Sequence, residues 1–248
     1  MNPAAYQEMA AQEATHWWYV GRRQILASAL SALALPPQAR LLEIGAGTGG
    51  NLAMLARHGQ VQAVEDNPEA RAIAQARHPE LAISPGRLPG PLPGPEGHFD
   101  LICLLDVLEH IEQDRQALRA LAARLAPGGR ILLTVPAYQW LFGAHDRFHH
   151  HFRRYSAGGL REAAADAGLH VRHMSHFNTL LFPVAAAVRA LERLGIIRPG
   201  AGTSQPGRIA NRLLTSAFGA EAAFVMRPGL PFGLSLLAVL EQAETPRP

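Results

Sequence analysis

Between residues 39 and about 177, apolar runs of strand length alternate with stretches whose apolar positions recur at helical spacing. The strand candidates read ARLLEIG, VQAVE, LAIS, FDLICLL, GRILLTVP and LHVRHMSHF. Amphipathic segments separate most of them, a pattern that predicts an α/β fold with a mainly parallel sheet and helices on both faces. Local chemistry marks several boundaries. Asn67 before Pro68 reads as an N-cap with proline in the first helical position, and Gly59 after NLAMLARH as a helix stop. Leu118, Leu121, Ala122 and Leu125 form a one-sided helical stripe ahead of the breaker PGG. Ser156 caps a further helix, with Leu160, Ala163, Ala164 and Ala167 on one face and Gly168 at its end.

Two regions fall outside the alternation. The segment through Leu35, closed by Pro36 and Pro37, predicts two helices, so residues 1–38 read as a helical cover on a core of residues 39–177. Residues 178–232 read as a helical insertion: TLLFPVAAAVRALERLG, then the breaker-rich IIRPGAGTSQPG, then another helix. The chain returns in FGLSLLAVLEQ, a last strand within residues 233–248. An insertion between the last two strands is expected to form a lid over the sheet's C-terminal edge, where ligands of open α/β sheets bind.

Composition narrows the chemistry. The chain of 248 residues is 48% hydrophobic and 17% charged, with apolar runs far short of the ~20 residues a spanning helix needs, so no integral membrane segment is expected. Its first residues lack a basic stretch followed by an apolar one, which argues against a secretory signal and for the cytoplasm. The single cysteine, Cys103, lies in an apolar strand and reads as a buried structural thiol. All 23 basic side chains other than histidine are arginines, which excludes a lysine Schiff base. They are scattered without an aromatic-interleaved stripe, which argues against a nucleic-acid partner despite a pI near 9.6.

The first strand runs into RLLEIGAGTGGN, where Gly45, Gly47 and Gly50 satisfy the spacing of a dinucleotide-binding loop. Such glycines serve any nucleotide that must approach the backbone closely. Glu65 ends the second strand, where a carboxylate accepts hydrogen bonds from ribose hydroxyls, again without telling one nucleotide from another. Glu43, two residues before the first glycine, discriminates: a carboxylate at the loop's mouth disfavours a pyrophosphate and compensates a cationic ligand, directly or through water.

At this point LLEIGAGTG closely resembles the first motif of class I S-adenosylmethionine-dependent methyltransferases, of the bacterial small-molecule kind with a ubiquinone/menaquinone methyltransferase-type domain. The resemblance implies that Glu43, Gly45, Ala46, Gly47 and Gly49 surround the cofactor. It likewise places Glu65 and Asp66 of VEDN at the ribose, and Leu105 and Asp106 of FDLICLLDVLEHI near the methionine part. LAPGGRILLTVP is similar to the family's turn into the fifth strand. The implied fold is a Rossmann-like seven-stranded sheet of order 3-2-1-4-5-7-6 with strand seven antiparallel. Where many relatives carry an acid for the adenine, this chain reads ISPGRLPG, with Ser84 nearest the position.

The acceptor site is sought after the fifth strand, in AHDRFHHHFRRYS. His145 with Asp146 reads as a base and its orienting carboxylate, Tyr155 as a donor, and His151, Arg153 and Arg154 as contacts to an anionic acceptor. A surface loop with solvating histidines is the alternative. His149, His150 and His151 are consecutive and point in different directions, which argues against a metal there. His110 is a second candidate base or a packing residue. Trp17, Trp18 and Tyr19 beside Arg22 and Arg23 either cover the cleft, with Trp18 against the bound molecules, or anchor the first helices. The absence of an Asn/Asp-Pro-Pro-aromatic motif after strand four argues against nucleic-acid bases. TLLFPVAAAV suits core packing, a lid over a greasy acceptor, or peripheral contact with a bilayer. The expectation is methyl transfer to a small acceptor, lipophilic or anionic, at oxygen or carbon. Its rivals are an NAD-dependent oxidoreductase and a non-catalytic cofactor-binding module.

Overall fold

A computed structural model describes residues 3–196 and 206–243. Two helices, α1 (Pro3–Gln12) and α2 (Trp17–Ala32), precede β1 (Ala39–Ile44), and then strands and helices alternate. They run α3 (Leu52–Leu55), β2 (Gly59–Val64), α4 (Pro68–Arg77), β3 (Ala82–Ser84), β4 (Phe99–Leu105) and α5 (Asp114–Ala122). There follow β5 (Leu125–Pro136), α6 (Ala144–Phe148), α7 (Ala157–Asp166), β6 (Leu169–Phe177), α8 (Phe182–Arg193), α9 (Arg208–Ala220) and β7 (Ser235–Gln242).

The seven strands lie in the order β3-β2-β1-β4-β5-β7-β6. Every neighbouring pair is parallel except those made by β7, which is antiparallel to both β5 and β6. The expected order and sense are therefore met. Because side chains alternate along a strand, neighbouring residues feed opposite layers. Leu42, Ile102, Leu104, Ile131 and Leu133 pack with Leu118 and Leu121 of α5 and Leu160 of α7. Leu41, Leu101, Cys103, Leu132 and Leu237 pack on the other face with Ile25, Leu26 and Leu30 of α2. The unbroken apolar strands reflect burial on both faces.

The predicted caps of α4 and α7 form: Asn67 accepts from the N–H groups of Glu69 and Ala70, and Ser156 from that of Gly159. Two boundaries differ from the pattern. Leu125 continues the spacing of α5 but opens β5, pairing with Phe99 before residues 126–129 bulge out of register. Gly59 does not stop a long helix, since α3 ends at Leu55; it starts β2, where a Cβ would come within 2.0 Å of the Ala39 carbonyl oxygen. Close strand approach, rather than helix termination, requires glycine there.

The insertion has two parts. Helix α9 lies along α2, its Phe218 against the bare Cα of Gly21 and edge-on to Trp17 at 5.7 Å. Asn211 of α9 accepts from the Trp17 N–H at 2.8 Å and donates to the Thr15 carbonyl. Helix α8 instead brings Ala185 and Arg189 to the cleft described below. Its root is fastened by Glu221, a buried carboxylate that accepts from the N–H groups of Asn178, Thr179 and Leu180 at 2.6, 2.8 and 3.1 Å. Part of the breaker-rich segment, residues 197–205, lies outside the described residues. Among the described residues no helix is long and apolar enough to cross a membrane.

Candidate active site

The ends of β1, β2, β4 and β5 open onto one cleft of about 1790 Å³, whose walls include Ile44, Glu65, Leu105 and Pro136. Its floor is the loop after β1. Gly45 and Gly47 hold φ near +70° and +56°, the left-handed region that glycine enters without cost, and a Cβ on Gly45 would lie 2.7 Å from Val107. The N–H groups of Gly45 and Ala46 both bond the Val64 carbonyl. Glu65 bridges the site's two halves, accepting from the Gly47 N–H on one oxygen and from the Asn67 N–H on the other, each at 2.8 Å. A carboxylate oxygen has a further lone pair, so both can still receive ribose hydroxyls from the cleft. Gly45, Ala46, Gly47, Asp66, Leu105 and Asp106, named from the sequence as cofactor contacts, all line the cavity.

Three expected cofactor residues stand elsewhere. Glu43 is not at the loop's mouth: it is 1% exposed beneath the loop, holding the Asn51 side chain at 3.0 Å on one oxygen while the other has no partner. Burial pushes its pKa up to about 7, against smaller opposing effects from Asn51 and Arg22. Any compensation of a cationic ligand acts from below, through Asn51 and the loop. Gly49 faces away, with His78 and Ala74 beside it, and Ser84 gives its carbonyl to the Glu65 N–H while Pro85, Gly86 and Arg87 supply the cleft wall.

A buried arginine joins the N-terminal helices to the sheet edge. Arg22 of α2 bonds Asp106 at 2.6 Å and the Thr134 hydroxyl at 3.0 Å, and its guanidinium lies 5.3 Å from the centroid of the Trp18 ring. Asp106 is held in the left-handed region at φ +61°, with its N–H on the Thr134 carbonyl. Such strain persists only where the surroundings enforce it. The HWWYVGRR stretch hints at this role, although only the fold reveals which arginine turns inward. Trp18 thus both lines the cleft and stacks on the arginine.

The histidine-rich loop after β5 forms the far wall. Asp146 is fully buried, and it orients His151, not His145. Its carboxylate takes Nδ1 of His151 at 3.0 Å, Nε of Arg154 at 2.7 Å and the Gly143 N–H at 2.8 Å. Burial alone would raise its pKa, but the hydrogen bonds from His151 and Arg154 and the arginine's charge hold it well below the usual range. His145 lines the cleft with its ring 4.4 Å from that of His149. His110 meets His151 edge-on at 4.6 Å, and burial, then His151, drives its pKa down to about 4. Beside it Glu109 is buried on the cleft wall, a residue the sequence reading passes over.

Tyr155 and Arg153 are not on the cleft wall. The buried Tyr155 hydroxyl donates to Asp114 at 2.8 Å, burial and then the Asp114 charge raise its pKa, and Arg153 pairs with the same carboxylate at 2.8 Å. These two fasten the loop to α5. Arg154 and His151 remain on the wall.

A family model described as a methyltransferase domain matches residues 15–174, well over half the chain. The ubiquinone biosynthesis O-methyltransferase of Xanthomonas campestris pv. campestris is 30% identical over 138 residues, 49% of this chain and 56% of that one. The chain spans about half the length of such curated relatives. A chain from the complex of the Haloferax volcanii Trm112 methyltransferase activator with a methyltransferase superposes with TM-score 0.64 at 21% identity, covering 99% of this chain and 97% of that one. Phosphoethanolamine N-methyltransferase 2 of Haemonchus contortus, solved with S-adenosyl-L-methionine, gives 0.58 at 16% identity over 89% of this chain and 52% of its own. The glycine loop and Glu65 fit the loop and ribose contacts of such a nucleoside, and no arginine on the loop itself awaits a diphosphate. The chain belongs to this methyltransferase-domain family, in the class I group whose methyl donor is S-adenosylmethionine.

Proposed function

We propose that the protein methylates a hydroxyl oxygen on a small acceptor seated at the histidine-lined end of the cleft. One observation carries this reading. Gly47 and Glu65 at the nucleotide end, Leu105 and Asp106, and His110, His145 and His149 at the histidine end all line one cavity. S-adenosylmethionine supplies an electrophilic methyl on a sulfonium, so the protein's work is alignment, exclusion of water and removal of one proton. Oxygen is preferred over carbon because relatives at about 30% identity are named O-methyltransferases.

His145 is the residue we assign to accept the hydroxyl proton. Arg154, paired with Asp146, also lines the cleft, where its remaining guanidinium N–H groups can meet an anionic group of the acceptor. Phe148 and Phe152 line the same end yet are 60% and 52% exposed, which suits a lipophilic acceptor that covers them when bound. Helix α8 acts as the lid, with Arg189 over the loop and Val184, Val188 and Leu191 outward, where they can meet a greasy chain or a bilayer surface. The acceptor is thus a small molecule and not a nucleic acid.

The test is methyl transfer from isotope-labelled S-adenosylmethionine to a panel of phenols, catechols and lipid-linked alcohols, with products read by mass spectrometry. Methyl ethers are expected, and His145→Ala should form them at least tenfold more slowly with unchanged cofactor affinity. Label appearing only on amines would overturn oxygen as the acceptor atom.

A further inference from the structure

The consecutive histidines at positions 149–151 argue against a metal when read along the chain. The fold takes just one of them, His151, and sets it against the short helical turn Leu108–His110 that follows β4. One ligand atom each from Glu109, His110 and His151 lie within 4.8 Å of one another. The Phe152 N–H bonds the Glu109 carbonyl at 2.9 Å and so pins the two segments together.

Glu109 is 1% exposed, and its Oε2 has no hydrogen-bond partner. A buried carboxylate oxygen left in that state is costly unless a proton or a cation compensates it. Two imidazoles stand next to it, and their ring nitrogens are donors a cation would use. The strongest sign comes from behind: Asp146 takes Nδ1 of His151, which leaves Nε2 with its lone pair free to ligate. A carboxylate that fixes the tautomer of a ligating histidine is the usual support of a metal centre. Arg154 and the Gly143 N–H keep that carboxylate in place.

We propose that Glu109, His110 and His151 bind a divalent first-row transition cation, such as Mn²⁺ or Zn²⁺, at the acceptor end of the cleft. Two nitrogens and one carboxylate oxygen suit these ions better than the all-oxygen shells of Ca²⁺ or Mg²⁺. Around a four-coordinate ion with bonds of about 2.1 Å, ligand atoms stand about 3.4 Å apart, so the side chains must close in by no more than about 1.5 Å. All three residues line the cavity, so three protein ligands leave a coordination position facing it. Cation binding stands on its own. Use of the open position by an acceptor hydroxyl oxygen rests on the methyl-transfer reading above.

The test uses the full chain, stripped with a chelator, dialysed and titrated with Mn²⁺ while free Mn²⁺ is followed by electron paramagnetic resonance. One ion per chain is expected, displaced by Zn²⁺. Asp146→Asn should weaken it about 10- to 100-fold, and Glu109→Gln and His151→Ala at least as much. His170→Ala, a half-exposed histidine at the start of β6, should bind as the parent does. If Glu109→Gln fails to fold, His151→Ala at the cleft surface carries the comparison. Absence of stoichiometric binding, or binding unchanged in the variants, overturns the proposal. Calorimetry with S-adenosylmethionine on the same samples separates the two readings: a chain that binds the nucleoside but no cation loses only the metal site, whereas one that binds neither loses the account of the cleft.

Discussion

Single side chains decide the chemistry here, and their pairings were less legible than their types. Glu65 bonds both the glycine loop and the start of α4 while facing the cavity. Glu65→Ala should weaken S-adenosylmethionine binding at least tenfold by calorimetry, since hydrogen bonds to a charged group contribute about 1.5–3 kcal/mol. Glu43 makes a sharper case. Its pKa is raised to about 7 in the folded state from an ordinary 4.5, so the fold favours its protonated form. That contribution is complete below about pH 4.5 and disappears as pH rises through 7. Compared with Glu43→Gln, the parent should lose about 3 kcal/mol of stability between pH 4.5 and 8. Urea unfolding at both ends of that range measures it, and parallel curves would show that the carboxylate is better solvated than its burial implies. The sequence marks Glu43 as a functional acid but carries no sign that Asn51 would fold over it. Likewise a run of His, Asp, Arg and Tyr after β5 announces a polar site. Only packing reveals that Asp146 selects His151 and that Tyr155 turns away to Asp114. Tyr155→Phe should therefore cost about 1–2 kcal/mol of stability, because Asp114 loses a buried donor, and leave cofactor affinity as it is.

Elements were easier to read than residues because periodicity survives where individual contacts do not. The β-strands and the caps at Asn67 and Ser156 follow from apolar runs and local hydrogen bonding. Misreadings occur where one residue satisfies two patterns, as Leu125 does in continuing the stripe of α5 while opening β5. The insertion escaped a full reading for a different reason. Its two helices are similarly amphipathic, yet α9 docks on α2 through Phe218 and Gly21 while α8 borders the cleft. Glu221 is what holds the root of α8, with three backbone donors on one buried carboxylate. Glu221→Ala should release residues 178–180, at a cost of about 2–4 kcal/mol for orphaned buried N–H groups. Hydrogen exchange should show faster amide turnover there and along α8, with β5 and β7 still protected. Uniform protection across α8 would mean that the helix is held by its own packing.

At the level of the whole molecule, a ligand that binds only the folded chain raises its stability in proportion to occupancy. At a hundredfold excess over its dissociation constant S-adenosylmethionine should add about 2.7 kcal/mol, a rise in melting temperature of about 5–10 °C for a chain of this size. NAD should leave the melting temperature where it is, and a reversed ranking would disprove the cofactor assignment. The alternation of apolar runs and helical stretches made a mainly parallel α/β sheet legible, whereas the strand order came only with the resemblance to class I methyltransferases, because nothing in the spacing tells where β7 inserts. β7 follows the other six strands of the sheet in the chain, yet it sits inside the sheet with β5 on one side and β6 on the other. A nascent polypeptide halted before Ser235 therefore keeps an open slot two ladders wide. A synthetic peptide carrying residues 233–243 should fill that slot in trans, which makes the protein a natural candidate for a split reporter.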